Sequence, residues 1–537
     1  TINGAQNLTI TGNLDLNGAI GASTRVGVFS VSGASNLGAN VLSNGTQTYT
    51  GAVTLSADIT LTSSDDQFTF SSTVQSDGTA RDLTLNSGNA TITITGAIGG
   101  NSKPLDVLTI TQSGGTTFSG AVNADTVTLT DTTGSVTFAG SVDLETLNTA
   151  DQTYNVILNG DSNAITDAVT FSNTGYVTLV SGGDTSVFTG GVTAAIPSQI
   201  NIGGTVQSTN TAIVLGASGS HVIVLTANST ISGNTSGAIS LNGTVNGAYT
   251  LTLNSTAATT FAATVGNSAP LTAITTNSGG TVVFNTTAIE TDGNQVYGEN
   301  ATLGGNITFT TGGNDLTFSG TLNSVSSTKT LDIVAGAGNT TFTGAVGGAT
   351  NGDLGDTTIG TAILTGAAIK VQGTLAITNS GTSTITGIIS DGDTAAILTK
   401  AGAGTLTLSG DNTYTGATTV SAGVLSITHA DSLGATDGAT TVADGASLQL
   451  SNGINVAEAI TISGNGISLG GAIRSNSGDN TLSGQITLAA LNNKIYSNSS
   501  TLTLDVSTGS SITASDKNIT IDGAGLSNIT VADPIAI

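Results

Sequence analysis

The chain has 537 residues, of which 34 are acidic and 9 basic, giving a formal net charge of −25. This balance argues against a nucleic-acid partner, which calls for a basic patch, and against docking on anionic lipid headgroups. The absence of Cys excludes a disulfide framework and any thiolate metal site, while 37% hydrophobic residues suffice to bury a core.

Charged residues make up only 8% of the chain, so Thr, Ser, Asn and Gly supply its polarity. No stretch approaches the ~18 consecutive apolar residues of a spanning helix, and no integral membrane segment is expected. There is no Met, and Thr1 opens in mid-pattern without a signal peptide. The chain therefore reads as a processed part of a longer protein.

Residues 1–44 alternate in short strand-like pieces such as Leu8-Thr9-Ile10 and Leu14-Asp15-Leu16, broken by Gly and Asn. Residues 45–100 then align without a gap on residues 293–348, an offset of 248 (293 − 45). Gly45, Gln47 and Tyr49 match Gly293, Gln295 and Tyr297, and Phe70-Ser71 matches Phe318-Ser319. Inside that duplication, and continuing beyond it, runs a shorter unit, an apolar residue, Ser or Thr (Ala139 in one copy), two small residues, then Val, Ile or Leu. It recurs at Phe70–Val74, Ile94–Ile98, Phe118–Val122 and Phe138–Val142, and again at Phe318–Leu322 and Phe342–Val346. The intervals are 24 (94 − 70), 24 (118 − 94) and 20 (138 − 118). A period of 20–24 residues made of strands and turns predicts the coils of a parallel β-solenoid, roughly 20–26 of them in a single elongated rod. At a strand spacing of ~4.8 Å such a rod would be about 115 Å long.

Residues 150–290 are less regular. The runs Ala212-Ile213-Val214-Leu215 and Val222-Ile223-Val224-Leu225 alternate poorly, which predicts strands buried on both faces or a distorted sheet. No 3.6-residue amphipathic period persists, and the 4 Pro suit a fold whose strands need their N–H groups. Lys400 to Gly434 is the clearest strand–turn–strand unit, with Leu406 and Leu408 alternating against Thr405 and Thr407 before the Ala422-Gly423 turn.

From about Gly373 the chain resembles the autotransporter-associated β-strand repeat of bacterial autotransporter passengers. The resemblance is carried by Thr378 to Ile385, Leu398-Thr399-Lys400, Gly402 to Gly410, Asn412 to Gly416 and Ser421-Ala422-Gly423, and more loosely by Val456 to Thr461 and Ser477 to Thr481. The QTY units at Gln47–Tyr49 and Gln152–Tyr154 make residues 1–372 similar to the looser repeats of large bacterial surface adhesins. The resemblance implies a right-handed parallel β-helix displayed on a Gram-negative cell surface, and no enzyme. Two continuous regions are expected, residues 1–372 of irregular adhesin-like coils and residues 373–537 of autotransporter-associated coils. No C-terminal membrane β-barrel and no two-partner secretion domain is recognisable within the sequence, which leaves the export route open.

Candidate chemistry is sparse. His221 and His429 are far apart, and a catalytic or metal site needs partners converging on one of them. The acidic pairs Asp65-Asp66 and Asp391-Gly392-Asp393 read as polar turns, and a glycan-cleaving β-helix would need such carboxylates to converge. Gly312-Gly313-Asn314-Asp315 lacks the periodicity of a calcium-binding repeat, and Gly402-Ala403-Gly404 lacks the following Lys and helix of a phosphate loop. Thr-x-Thr runs at Thr91/Thr93/Thr95, Thr126/Thr128/Thr130 and Thr405/Thr407 suit solvent-facing strands, with an ice-binding face as a remote reading. Tyr49, Tyr154, Tyr297 and Tyr414 are expected to close coil corners, with exposed stacking against sugars as the alternative. No catalytic, cofactor-binding or metal residue is predicted, although one acidic turn could hold an isolated Ca²⁺. The expected function is that of a non-enzymatic extracellular adhesin or stalk on a bacterial outer surface. Its partners would be host, neighbouring-cell or matrix surfaces, glycans among them. A building block of a self-associating filament or coat is the alternative.

Overall fold

The structure is a computed structural model that describes residues 1–100, 104–326, 328–525 and 527–537. It is all-β, with parallel strands stacked as a β-solenoid of about 24 turns. The one helical element among the described residues is the 3₁₀ turn Ile467–Leu469. The chain divides into two compact units, Thr1–Thr272 and Ala273–Ile537.

In the first unit each regular coil supplies three short strands. One coil holds Gln47–Tyr49, Val53–Leu55 and Ile59–Thr62, and the next holds Phe68–Phe70, Val74–Ser76 and Leu83–Asn86. Each strand pairs in parallel with its counterpart one coil on, Tyr49 with Phe70, Leu55 with Ser76 and Leu61 with Leu85. Alternate residues therefore point into the coil and stack on their equivalents at the strand spacing of about 4.8 Å. Aromatic rings exploit that distance. The Tyr49 ring lies 4.9 Å from that of Phe70 and nearly parallel to it, and the Phe118 ring lies 4.8 Å from that of Phe138. Offset stacks of this kind add to the burial of large apolar surface.

This packing explains the five-residue unit of the sequence. In Phe118-Ser119-Gly120-Ala121-Val122 the aromatic residue ends one face and Val122 begins the next, both facing inward. Gly120 forms the corner between them. A β-carbon there would sit 2.6 Å from the Gly96 carbonyl carbon, and one at Gly140 would sit 2.4 Å from that of Gly120. The corners of successive coils are in backbone contact, so a small residue is obligatory at each level.

Another corner is closed by buried hydroxyls. Ser43 donates to the Gly45 carbonyl, Ser63 to that of Asp66 and Ser87 to that of Ala90. The duplicated segments repeat their polar core in detail. Gln47 Nε2 donates to the Val41 carbonyl at 3.2 Å, Ser43 Oγ at 3.1 Å and the Thr62 carbonyl at 2.9 Å, while its Oε1 accepts from the Tyr49 hydroxyl at 3.0 Å. In the second unit Gln295 makes the same contacts with the Ile289 carbonyl at 3.3 Å, Thr291 Oγ1 at 3.2 Å, the Thr310 carbonyl at 2.9 Å and the Tyr297 hydroxyl at 3.1 Å.

Within residues 150–290 the two apolar runs depart from expectation. Ile213, Leu215, Ile223 and Leu225 face inward, while Val214, Val222 and Val224 are half-buried on the outer face. The alternation is present and was masked by valine on the solvent side. Burial on both faces occurs at Tyr176–Val180, where the register also slips between Thr178 and Val180.

Candidate functional site

The second unit holds most of the unusual chemistry. Its strands Ile389–Ala401, Thr405–Leu408, Thr418–Val420 and Val424–Ile427 each pair in parallel with a strand of the next coil. Lys400 points inward here and is fully buried. Its ammonium donates to the carbonyls of Ala401 at 2.7 Å, Gly402 at 3.0 Å and Ala422 at 3.2 Å. Three donors meet three acceptors, and the side chain ties the Gly402 turn to the Gly423 turn one coil below. Burial still disfavours the charge and lowers the Lys400 pKa to about 8.

Two buried carboxyls share one arrangement. Glu458 Oε1 accepts from the Thr440 hydroxyl at 2.7 Å, and Glu299 Oε2 accepts from the Thr276 hydroxyl. The second oxygen of each has no partner among the described residues. Burial raises both pKa values, that of Glu458 to about 8, so Glu458 is mostly protonated at pH 7. A carboxyl whose folded pKa lies above its unfolded value contributes stability below the unfolded pKa of ~4.3 and loses it as pH rises through the folded one. Wild-type protein is therefore expected to lose stability between about pH 5 and pH 8, at up to roughly 1.4 kcal/mol per pH unit from this group. Glu458→Gln should flatten that slope, as read by urea midpoints across the pH range.

Asp411, His429 and Asp431 bring two carboxylates and an imidazole together, with their ligand atoms within 4.8 Å of one another. His429 Nδ1 lies 3.9 Å from Asp431 Oδ2 and accepts a hydrogen bond from the Asp431 amide at 3.2 Å. Both Asp side chains are exposed. The donor set is one that divalent transition metals accept, since it includes imidazole nitrogen. It was invisible in the sequence because Asp411 and His429 lie on successive coils.

The outer face of the same unit carries an open groove of about 360 Å³. It crosses Leu331–Val334, Thr357–Thr361 and Ile369–Asn379 and ends at Gly402-Ala403, beside the turn that Lys400 holds. Gly360 makes the notch. It pairs with Val334 on one side and Thr378 on the other, in a row whose other members carry outward side chains.

The remaining predicted positions serve the scaffold. Tyr49, Tyr154, Tyr297 and Tyr414 are at most 1% exposed, which removes stacking against sugars and places all four in the core. Their hydroxyls bond inside the coil, Tyr414 to Thr418 at 2.6 Å. His221 flanks a strand with Nδ1 3.4 Å from Ser218 Oγ. Asp65 lies in a turn and accepts from the Asn89 amide at 2.8 Å. Asp391 to Asp393 fall within the long strand Ile389–Ala401, not in a turn. The Asp391 carboxylate is occupied by the amides of Ala396 and Thr415 and the Thr415 hydroxyl. Gly312 and Gly313 form a turn, and Asp315 accepts from the Asn339 amide at 2.8 Å. Thr93, Thr117 and Thr137 form an outward rank in register.

One family model, the passenger-associated-transport-repeat, matches residues 398–427. Comparison with curated proteins and with solved structures returned no match.

Proposed function

We propose that this autotransporter-passenger-like β-solenoid acts at a bacterial outer surface as an adhesin or stalk. The observation that carries the reading is the matched repeat itself, residues 398–427, embedded in coils that pair on both sides with their neighbours. Such repeats imply a secreted, surface-exposed and structural segment. Its mechanism is mechanical. Backbone ladders and stacked core residues give stiffness, and repeated outward side chains offer many weak contacts whose combined avidity exceeds any one of them. No described helix is long and apolar enough to cross a membrane.

The test is an in-frame deletion of these 537 residues in the native gene of the producing bacterium. Attachment to host cells and to abiotic matrix should fall while growth and export of the remaining protein persist. Unchanged attachment with loss of cell-to-cell filaments would support the filament reading instead.

A further inference from the structure

We propose that the groove around Gly360 binds a neutral, hydroxyl-rich glycan lying along the stack of coils. The inference deepens the adhesive reading above and rests on it. The groove spans four successive strands, about 14 Å at ordinary strand spacing, and its volume falls within the range of ligand sites. Part of its lining is apolar or bare: Val334, 46% exposed, with Gly336, Gly402 and Ala403. Along it stand the Asp332 carboxylate and the hydroxyls of Thr358, Thr378 and Ser380. Among the described residues these four side chains have no hydrogen-bond partner in the protein, unlike the neighbouring Asn379 and Thr361, whose polar groups are engaged within the coil. Free hydroxyls and one carboxylate beside apolar surface match a sugar, which presents C–H faces and hydroxyls together.

Charge selects among glycans. The lining holds one carboxylate and no cation, in a chain of net charge −25, so uronates, sulfated sugars and phosphates are disfavoured. A peptide is a poorer fit. Extended peptides bind by adding a strand to an open sheet edge, whereas here Leu331–Val334 and Thr357–Thr361 are paired onward with the next coil along the groove.

The test titrates the full 537-residue chain with neutral hexasaccharides of glucose, mannose and N-acetylglucosamine by calorimetry, with heparin and polygalacturonate as acidic probes. At least one neutral hexasaccharide should bind. Gly360→Leu should weaken it at least about tenfold by filling the notch, where a β-carbon meets only the Ile333 carbonyl oxygen at 3.3 Å. Thr358→Val with Thr378→Val, which keeps shape and removes two hydroxyls, should also weaken it about tenfold or more. Thr419→Val, outside the groove, should change nothing. The proposal is overturned if no neutral hexasaccharide binds, if only the acidic probes bind, or if both groove variants bind as the wild type does. If the purified chain binds no neutral glycan while the gene deletion still abolishes attachment, the groove inference alone fails. If the chain binds and the deletion leaves attachment intact, the adhesive reading alone fails.

Discussion

Gly120→Val is expected to destabilise the Thr1–Thr272 unit by about 3 kcal/mol or more, at the upper end of overpacking effects. A β-carbon at 120 meets the Gly96 carbonyl carbon at 2.6 Å, its oxygen at 2.7 Å and the Ala97 nitrogen at 2.6 Å. These are backbone atoms and cannot rotate away, so the corner must splay. Splaying strains the bonds on either side, from the Ser119 amide to the Ile94 carbonyl at 2.8 Å and from the Val122 amide to the Ser141 carbonyl at 2.9 Å. Coils contact only their neighbours, so the damage should be local. Hydrogen exchange should show protection lost at the coils next to residue 120 and retained several coils away. Gly100→Ala is the matched control. Its β-carbon would have nothing within 4 Å, and its effect should stay within about 0.5 kcal/mol. Equal effects of the two substitutions would refute the close-contact account of the corner.

The second large effect concerns the buried glutamines. Gln47→Ala leaves the buried Tyr49 hydroxyl without its acceptor, takes one donor from the Val41 and Thr62 carbonyls, the latter keeping the Ser43 amide, and opens a cavity. Gln295→Ala does the same to Tyr297, Ile289 and Thr310. Each is expected to cost about 3 kcal/mol or more, combining the lost volume with unpaired buried groups. Because the two networks agree contact by contact to within 0.1 Å, the two losses should be nearly equal. Exchange protection read around residue 47 in one variant and residue 295 in the other measures both. A loss confined to one site would show that the duplicated sequence no longer carries the duplicated energetics.

These two cases also mark what the sequence made legible. The solenoid could be read because its repeating unit pins three constraints at fixed spacing: an inward apolar residue, a corner with room for no more than a small residue, and the next inward residue. Phe118, Gly120 and Val122 state them in five positions. The tyrosines were legible as corner-closing residues because a hydroxyl can be buried when a partner such as Gln47 stands two residues away. Lys400 was not read as a core residue. A lysine in an alternating strand reads as solvent-facing, and this one is buried because two glycine turns on successive coils aim three carbonyls at one point. The groove was hidden for a related reason. It exists only where Val334, Gly360 and Thr378 come into one row, and coil lengths that vary around them decide which residues those are. Local pattern fixes which way a side chain faces, while its neighbour on the next coil depends on every insertion between them.

An exported scaffold displayed outside the cell must be reachable by antibody from the medium. The most direct measurement places a short epitope between Gly219 and Ser220, in an exposed turn of the first unit, within the native gene. Antibody binding is then compared on intact and on lysed cells. Full labelling of intact cells, abolished by external protease, is expected. Labelling that appears only after lysis would rule out display outside the cell.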